Sequence, residues 1–278
     1  METLIVNIDS RFRNKTLYPN PGSFVYNFSK KIKNCNYIKL SSIELPNLYF
    51  TFTTKKQNTF FKIIENSKTH TITINEGMYA YDQLLLAIQD KFNIINTANA
   101  TDFTIIFSQI TGYVAIESNN TFIIDFNNDS DILESLGFAL GFINKTYTSI
   151  HGQLNDAITH YIKSESQLDS LGDHYLFLKI NDYGVIINDY QAIQTDTQTT
   201  QIIKTELVNQ YLLAKIMITE DKSGHIFNNS SDFITKAYIF RQPTDISKLK
   251  IDLVDPRGNI IDLLYMNYSL TLELNVII

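Results

Sequence analysis

The C-terminal stretch from Ile246 to Ile278 constrains the fold more strongly than any other part of the sequence. Its first half alternates apolar Leu249, Ile251 and Leu253 with polar residues, which is the period of a strand with one buried face. The segment 255–259, Asp-Pro-Arg-Gly-Asn, follows and predicts a turn, because proline fixes φ and glycine tolerates a positive φ. Alternation then returns, with four aliphatic side chains on one face: Leu270, Leu272, Leu274 and Val276. We therefore predict an antiparallel ribbon of these two strands, the last strand lying in a sheet, as one wall of a β-sandwich.

Composition supports a protein rich in β-structure. The chain has 278 residues and is 44% hydrophobic, which is enough for one large domain or two modest ones. It contains 18 Phe and 16 Tyr but only ten Gly and five Pro, and aromatic residues suit a pleated surface. The net charge is −6 and the isoelectric point is about 5.4. Because nucleic-acid-binding proteins usually carry a basic face, we expect no direct nucleic-acid binding.

The sequence also predicts where the protein is made. Its N-terminal residues lack the basic segment and apolar core of a signal peptide. No apolar run reaches the length of about 18 residues that a membrane helix needs, so no transmembrane segment is predicted. Cys35 is the single cysteine and cannot form an intramolecular disulfide. We expect a soluble protein made in a reducing compartment.

The periodicity changes in the middle of the chain. Apolar residues from Tyr81 to Phe92 have helical spacing, and three strands are predicted after them as a meander over 103–108, 113–117 and 122–126. We predict that one face of this helix, formed by Leu84, Ile88 and Phe92, packs against the meander.

A second short helix is predicted from Ser130 to Leu136, with Gly137 at the position that follows a helix end. Together these elements predict a small α+β unit over 67–144, inserted into a jelly-roll-like antiparallel β-sandwich formed by 1–66 and 145–278. The fold class is therefore mainly β.

Two polar segments lack a clear period. Residues 145–172 and 191–206 are predicted to be loops or arms that contact neighbouring proteins, because they cannot build much core of their own.

Few residues suggest a metal-binding or catalytic site. Asp125, Asn127, Asp129 and Asp131 resemble the start of a calcium loop, but Ser130 and Leu136 replace the required Gly and Glu. Turn and helix-capping roles are therefore favoured over metal binding.

The five histidines show no metal-ligand spacing among themselves or with Cys35, and surface or hydrogen-bonded roles are favoured for them: His70, His151, His160, His174 and His225. Cys35 could be a nucleophile, but its place at the start of an apolar strand favours a small buried hydrophobe.

Two charged clusters remain. Lys30, Lys31 and Lys33 are interpreted as a solvated strand edge, with binding to an acidic partner as the alternative. Asp9, Arg11 and Arg13 are interpreted as surface ion pairs of small energy. No phosphate-binding loop or catalytic motif occurs, so we predict no catalytic, cofactor-binding or metal-binding residues and no enzymatic activity.

Several segments resemble, in the same order, a family of virion proteins of large icosahedral double-stranded DNA viruses. The opening VNIDSRFRN with PGSFVYNFSKKIKNCNYIKLSSIELPN is similar to the start of that family. TITINEGMYAYDQLLLAIQDKF resembles its strand–Gly-x-Tyr–helix element, and FTIIFSQITGYVAIES and ILESLGF resemble the hairpin and helix end that follow. PTDISKLKIDLVDPRGNIIDLLYMNYSLTLEL resembles its closing strands. Ala80 departs from the pattern, since the family tends to have a hydroxyl residue there. Residues 144–210 do not align with the family, so their role is open.

The resemblance implies a minor capsid protein of a giant virus, built on a jelly-roll-type sandwich. Such a protein would be made in the host cytoplasm and would lie at or under the outer shell of the virion. The resemblance does not imply its exact position, and we expect a position at or near a vertex. The protein would bind and cement major capsid proteins, contact other minor capsid proteins and be oligomeric. Two alternatives are a receptor- or carbohydrate-binding sandwich on a virion spike, which requires clustered exposed aromatic residues, and a hydrolase on a sandwich scaffold, which requires an acidic or histidine-containing cleft.

Overall fold

The computed structural model describes residues 1–127, 132–154, 157–181, 191–199, 202–210, 212–218, 224–229 and 237–277. These residues form mainly antiparallel β-structure. The strands and helices are, in chain order, β1 (Glu2–Asp9), β2 (Ser23–Pro46), β3 (Phe60–Glu65), β4 (Lys68–Thr73), α1 (Tyr81–Asn99), β5 (Thr104–Phe107), β6 (Val114–Ser118), β7 (Phe122–Asp125), α2 (Leu136–Ala139), β8 (Thr146–Thr148), β9 (Ile150–Leu154), β10 (Ala157–Lys163), β11 (Tyr175–Asn181), β12 (Gln191–Thr199), β13 (Ile202–Gln210), β14 (Leu212–Met217), β15 (His225–Asn229), β16 (Tyr238–Val254) and β17 (Ser269–Val276).

The chain divides into two compact units. Unit 1 comprises Met1–Tyr49 and Asp173–Ile278, and unit 2 comprises Phe50–Gly172. An inserted unit was predicted, but over 67–144 rather than 50–172. The structure extends it at both ends because β3 pairs with β4 and β7, and because β9 and β10 join β6 in one sheet.

Unit 1 is organised around β2. The strand order is β1–β17–β2–β16–β11–β14, and β15 also pairs with β2. Residues 23–38 of β2 pair with β16, and residues 35–44 pair with β17. The register of the pairing with β16 shifts between Asn27 and Tyr37, and Asn34 there has a φ of 54°. A register shift of this kind, in which one strand carries an extra residue, bends the strand. β2 can therefore pair with strands in both halves of the sheet.

The two halves enclose one hydrophobic core. Leu272 of β17 and Ile251 of β16 come from opposite sides of β2, and both belong to the same buried cluster. Along β17, the residues from Ser269 to Leu274 alternate between partly exposed and buried positions, as the period of two requires. The jelly-roll-like antiparallel β-sandwich with an inserted α+β unit is therefore confirmed as the fold class.

The predicted C-terminal ribbon is wrong in its pairing. Both predicted strands exist, as β16 and β17, but β2 lies between them and pairs with each. The turn between them forms as expected, since Gly258 has a φ of 88° and Asp255 Oδ1 accepts hydrogen bonds from the amides of Arg257 and Asn259. The alternating pattern fixed which side of each strand is buried, but it carried no information about the partner strand.

Unit 2 contains two four-stranded sheets, β5–β6–β10–β9 and β4–β3–β7–β8. The predicted meander is therefore wrong in one connection: β5 pairs with β6, but β7 lies in the other sheet, beside β3. The segment 145–172 was predicted to be a loop, yet it supplies β8, β9 and β10. The strands β8 and β9 have only exposed or half-buried residues, so the segment lacks the apolar alternation that indicates a strand with a buried face.

Helix α1 packs as predicted. Leu84, Ile88 and Phe92 are fully buried and share one cluster with Phe103 and Ile116. The ring centroids of Phe92 and Phe103 lie 5.9 Å apart. The prediction that this face packs against the strands after the helix is therefore confirmed.

The second helix differs from the prediction. It begins after Ser135, whose Oγ accepts a hydrogen bond from the amide of Phe138, and it includes Gly137. A Cβ added to Gly137 would lie 2.5 Å from the ring of Phe126, so glycine is required there by close packing and not by a helix end. The residue with positive φ is Gly141, at 90°. Asp129 and Ser130, at the predicted start of this helix, lie outside the described residues.

The segment predicted as the second arm is a two-stranded ribbon. β12 and β13 pair in register from Gln191 with Gln210 to Thr199 with Ile202. The prediction of an irregular loop over 191–206 is therefore wrong. Its Thr-rich and Gln-rich sequence lacks the apolar alternation that signals a strand with a buried face, although its backbone pairs regularly.

The start of helix α1 offers a test of local stability. Ala80 is its N-cap, with φ of −65° and ψ of 157°. Its amide donates to Gln83 Oε1 at 3.2 Å, but alanine has no side chain to accept a hydrogen bond in return. We expect Ala80→Ser to complete this capping box and to raise the free energy of unfolding by about 0.5–1 kcal/mol. Urea denaturation would measure the change. Ala80→Val is the control, and equal stabilities of the two variants would contradict the prediction.

Candidate interaction surface

The segment between β1 and β2 is attached to the core of unit 1 by two hydrogen bonds between Ser10 and Tyr268. The amide of Ser10 donates to the carbonyl oxygen of Tyr268 at 2.9 Å, and the amide of Tyr268 donates to Ser10 Oγ at 2.8 Å. Ser10 is fully buried and opens a short 3-10 turn that ends at Phe12. The turn is therefore fixed to the residue that precedes β17.

Arg13 holds the rest of this segment together. Its buried guanidinium donates to the carbonyl oxygens of Ser10, Tyr18 and Pro19, each at 2.8 Å, and to Asn267 Oδ1 at 2.7 Å. The prediction that Arg13 forms a surface ion pair is wrong. The acceptors come from both ends of the loop and from a residue more than 250 positions away, so the sequence alone could not identify them.

Asp9 and Arg11 do form the predicted surface ion pair. Asp9 Oδ2 accepts hydrogen bonds from Nε and Nη2 of Arg11, and the Arg11 side chain is largely exposed. The hydrogen bond from Arg11 lowers the pKa of Asp9. Exposed pairs of this kind contribute little to stability. Here the pair orients Arg11, whose guanidinium carbon lies 5.9 Å from the centroid of the Phe12 ring.

This loop presents apolar side chains to solvent. Phe12 is 85% exposed and Leu17 is 68% exposed, although the backbone between them is held by Arg13. Beside them is an open cavity of about 650 Å³, lined by residues of β1, of the loop, of β2 and of β16: Asn7, Asp9, Phe12, Arg13, Asn14, Leu17, Tyr18, Phe24, Val25, Tyr26, Asn27 and Lys248. Aromatic and arginine side chains on a fixed backbone are typical centres of protein–protein interfaces. We call Phe12, Leu17 and this cavity the loop surface.

The predicted basic run is partly neutralised. Lys31 Nζ lies 2.9 Å from Asp245 Oδ2, and Asp245 Oδ1 accepts a hydrogen bond from the amide of Asn34. The hydrogen bond from Lys31 lowers the pKa of Asp245. Lys31 of β2 therefore forms an exposed ion pair with Asp245 of β16, and binding of the basic run to an acidic partner stays a prediction.

Cys35 is fully buried, and its Sγ lies 3.4 Å from the carbonyl oxygen of Tyr37. It belongs to the core cluster of unit 1. The interpretation as a small buried hydrophobe is confirmed.

The calcium-loop pattern is described only in its first half. Asp125 Oδ1 accepts a hydrogen bond from the amide of Asn127 at 2.9 Å, which is a turn contact, whereas Asp129 and Asp131 lie outside the described residues. Among the residues that the structure describes, no group of three His, Cys, Asp or Glu side chains is arranged to hold a metal ion. One histidine pair, His151 with His160, is brought together across two strands, and sequence spacing did not identify it.

Exposed aromatic side chains, which the spike alternative requires at one loop end, come from five separate segments of the described chain: Phe12, Tyr81, Phe138, Phe227 and Tyr265. In the same part of the chain, no helix is long and apolar enough to cross a membrane.

Comparison with known proteins finds a solved structure of similar fold. No protein-family model matches the chain, and no curated protein matches it. Among solved structures, the mavirus penton protein aligns with a TM-score of 0.55 and 12% sequence identity, and the alignment covers 100% of both chains. A chain from the structure of the Sputnik virophage aligns with a TM-score of 0.39 and 11% identity over 99% of this chain and 98% of the other. The likeness to the penton protein is one of fold, and it extends through both units.

Proposed function

We propose that this chain is a structural, non-enzymatic protein of an icosahedral virus capsid that occupies the five-fold vertices and binds neighbouring capsid proteins there. The observation that carries the proposal is the end-to-end likeness to the mavirus penton protein, which covers 100% of each chain. A solved structure that resembled this chain only in its β-sandwich would leave unit 2 unmatched. The order of the sequence segments that resemble virion proteins supports the same role.

The architecture of unit 1 suits assembly. In the described part of the chain, β1 pairs with β17 alone, so it lies at an edge of the sheet. An edge strand offers backbone donors and acceptors to another chain. The ribbon of β12 and β13 forms a sheet of its own, and an isolated two-stranded hairpin is only marginally stable in water. A capsid neighbour would supply the contacts that this ribbon needs.

Particles that contain the chain provide the direct test. We expect cryo-electron microscopy to locate it around the five-fold axes, as a closed ring of five copies. Mass photometry of the purified chain would show whether it forms species of five times the chain mass of 32.0 kDa without other capsid proteins. Density for this chain elsewhere in the shell would contradict the vertex position, and its absence from purified particles would contradict the capsid role.

The loop surface provides a second test. We expect Phe12→Ala to weaken incorporation into particles by at least about tenfold, because truncating a central aromatic contact costs about 2 kcal/mol or more of binding free energy. The free energy of unfolding should stay nearly unchanged, since Phe12 is 85% exposed. Competition between variant and wild-type chains during assembly would measure the effect.

Phe227→Ala is the matched control, because Phe227 is also an exposed phenylalanine of unit 1, on β15. Equal incorporation of the Phe12 variant and the wild-type chain would exclude the loop surface as a capsid contact.

A further inference from the structure

Two histidines of unit 2 face each other across neighbouring strands. His151 of β9 and His160 of β10 are direct register partners, and their ring centroids lie 4.8 Å apart with an interplanar angle of 50°. β9 is an edge strand in the order β5–β6–β10–β9, and His151 is exposed whereas His160 is half-buried. Solvent therefore reaches the pair from the edge of the sheet.

We propose that His151 and His160 form a binding site for a borderline divalent transition-metal ion, of which zinc is the reference case. This inference is independent of the capsid role. Neutral imidazole is a preferred ligand of zinc, nickel and copper. Zinc–nitrogen bonds of about 2.0–2.1 Å place two ligating nitrogens ~3 Å apart. Rings whose centroids are 4.8 Å apart on one face of a strand pair can present nitrogens at that separation after small side-chain rotations.

A third residue can orient one of the ligands. Thr121 Oγ1 lies 3.4 Å from His160 Nδ1. With the proton on Nδ1, His160 donates to this hydroxyl and directs the lone pair of Nε2 away from it, towards the metal. A hydrogen bond of this kind commonly fixes the orientation of a ligating histidine.

The number of protein ligands determines how strongly the site binds a metal ion. Because no third His, Cys, Asp or Glu joins the pair within the described ranges, water would take the remaining coordination positions. The site therefore belongs with open sites and not with the four-ligand sites that hold structural zinc. The two ligands come from two different strands. The ion therefore binds the state in which β9 is paired with β10, and it stabilises the attachment of the edge strand β9.

Isothermal titration of the purified full chain with zinc chloride tests the proposal. We expect one zinc ion per chain at this site, and we expect His151→Gln and His160→Gln each to weaken binding by at least about tenfold. Thr121→Val should weaken it less. His225→Gln is the control, because His225 is an exposed strand histidine of unit 1, and this variant should bind zinc as the wild-type chain does.

Hydrogen exchange supplies a readout that is independent of affinity. Zinc should slow exchange of the amides of residues 150–154 in the wild-type chain and in the His225 variant, but not in either variant of the pair. In the wild-type chain, the imidazole NMR signals of His151 and His160 should shift on addition of zinc. Binding that is unchanged in both variants of the pair, or imidazole signals that do not respond to millimolar zinc, would overturn the proposal.

Discussion

Replacing Arg13 with alanine is expected to lower the free energy of unfolding of unit 1 by about 3–5 kcal/mol, because four charge-assisted hydrogen bonds of a buried side chain are lost and the carbonyl oxygen of Ser10 stays buried. The guanidinium joins both ends of the loop that precedes β2 to Asn267, next to the start of β17. Arg13→Lys should recover only part of the loss, since an ammonium group cannot reproduce the planar fork of donors. The midpoint and slope of urea denaturation would give the change.

Arg11→Ala is the matched control for this prediction. Arg11 lies two residues away in the same loop, but its side chain is largely exposed and its partner is Asp9 alone among the hydrogen bonds described above. We expect little change in stability. If the Arg13 and Arg11 variants unfold at the same urea concentration, Arg13 does not organise the loop. If the loop does depend on Arg13, its loss should also weaken particle incorporation, because Phe12 is no longer held in place.

The second large effect is expected in unit 2. Phe92→Ala should lower its free energy of unfolding by about 3–5 kcal/mol, the range found when a buried aromatic side chain leaves a cavity. Phe92 is fully buried, and its ring centroid lies 5.9 Å from that of Phe103 and 6.4 Å from that of Phe61. Thermal and urea denaturation, followed by hydrogen exchange of α1, would measure the loss and locate it.

Ile94→Ala is the control on the same helix. Ile94 is 63% exposed, so its truncation should change stability by no more than about 0.5 kcal/mol. A Phe92 variant that is as stable as the Ile94 variant would mean that α1 does not depend on this buried face, and the core described for unit 2 would be wrong.

Local patterns predicted the parts of the fold that depend on neighbouring residues. Helix α1 follows from the spacing of Leu84, Ile88 and Phe92, and the buried faces of β16 and β17 follow from alternation. The prediction for Cys35 succeeded for the same reason, because its place in an apolar strand is visible in the sequence. In each case, burial is set by a period that the chain itself carries.

Predictions failed where strands had to be paired or polar strands had to be found. The polar segments that became β8–β10 and the ribbon of β12 and β13 lack an apolar period, yet their backbones pair. The predicted unit boundaries differ from those of the structure for a related reason, since β3 and β10, which the prediction left out of the inserted unit, pair with β7 and β6 far away in the sequence.

The sequence by itself determined that this chain is mainly β, that one face of each C-terminal strand is buried, and that α1 packs against the strands that follow it. Only the tertiary structure decided that β2 lies between β16 and β17, that Arg13 is buried with four acceptors, and that His151 faces His160. The physical reason is that burial is encoded by a local period, whereas strand partners, hydrogen-bond acceptors and side-chain pairs are chosen among residues that only the folded chain brings together.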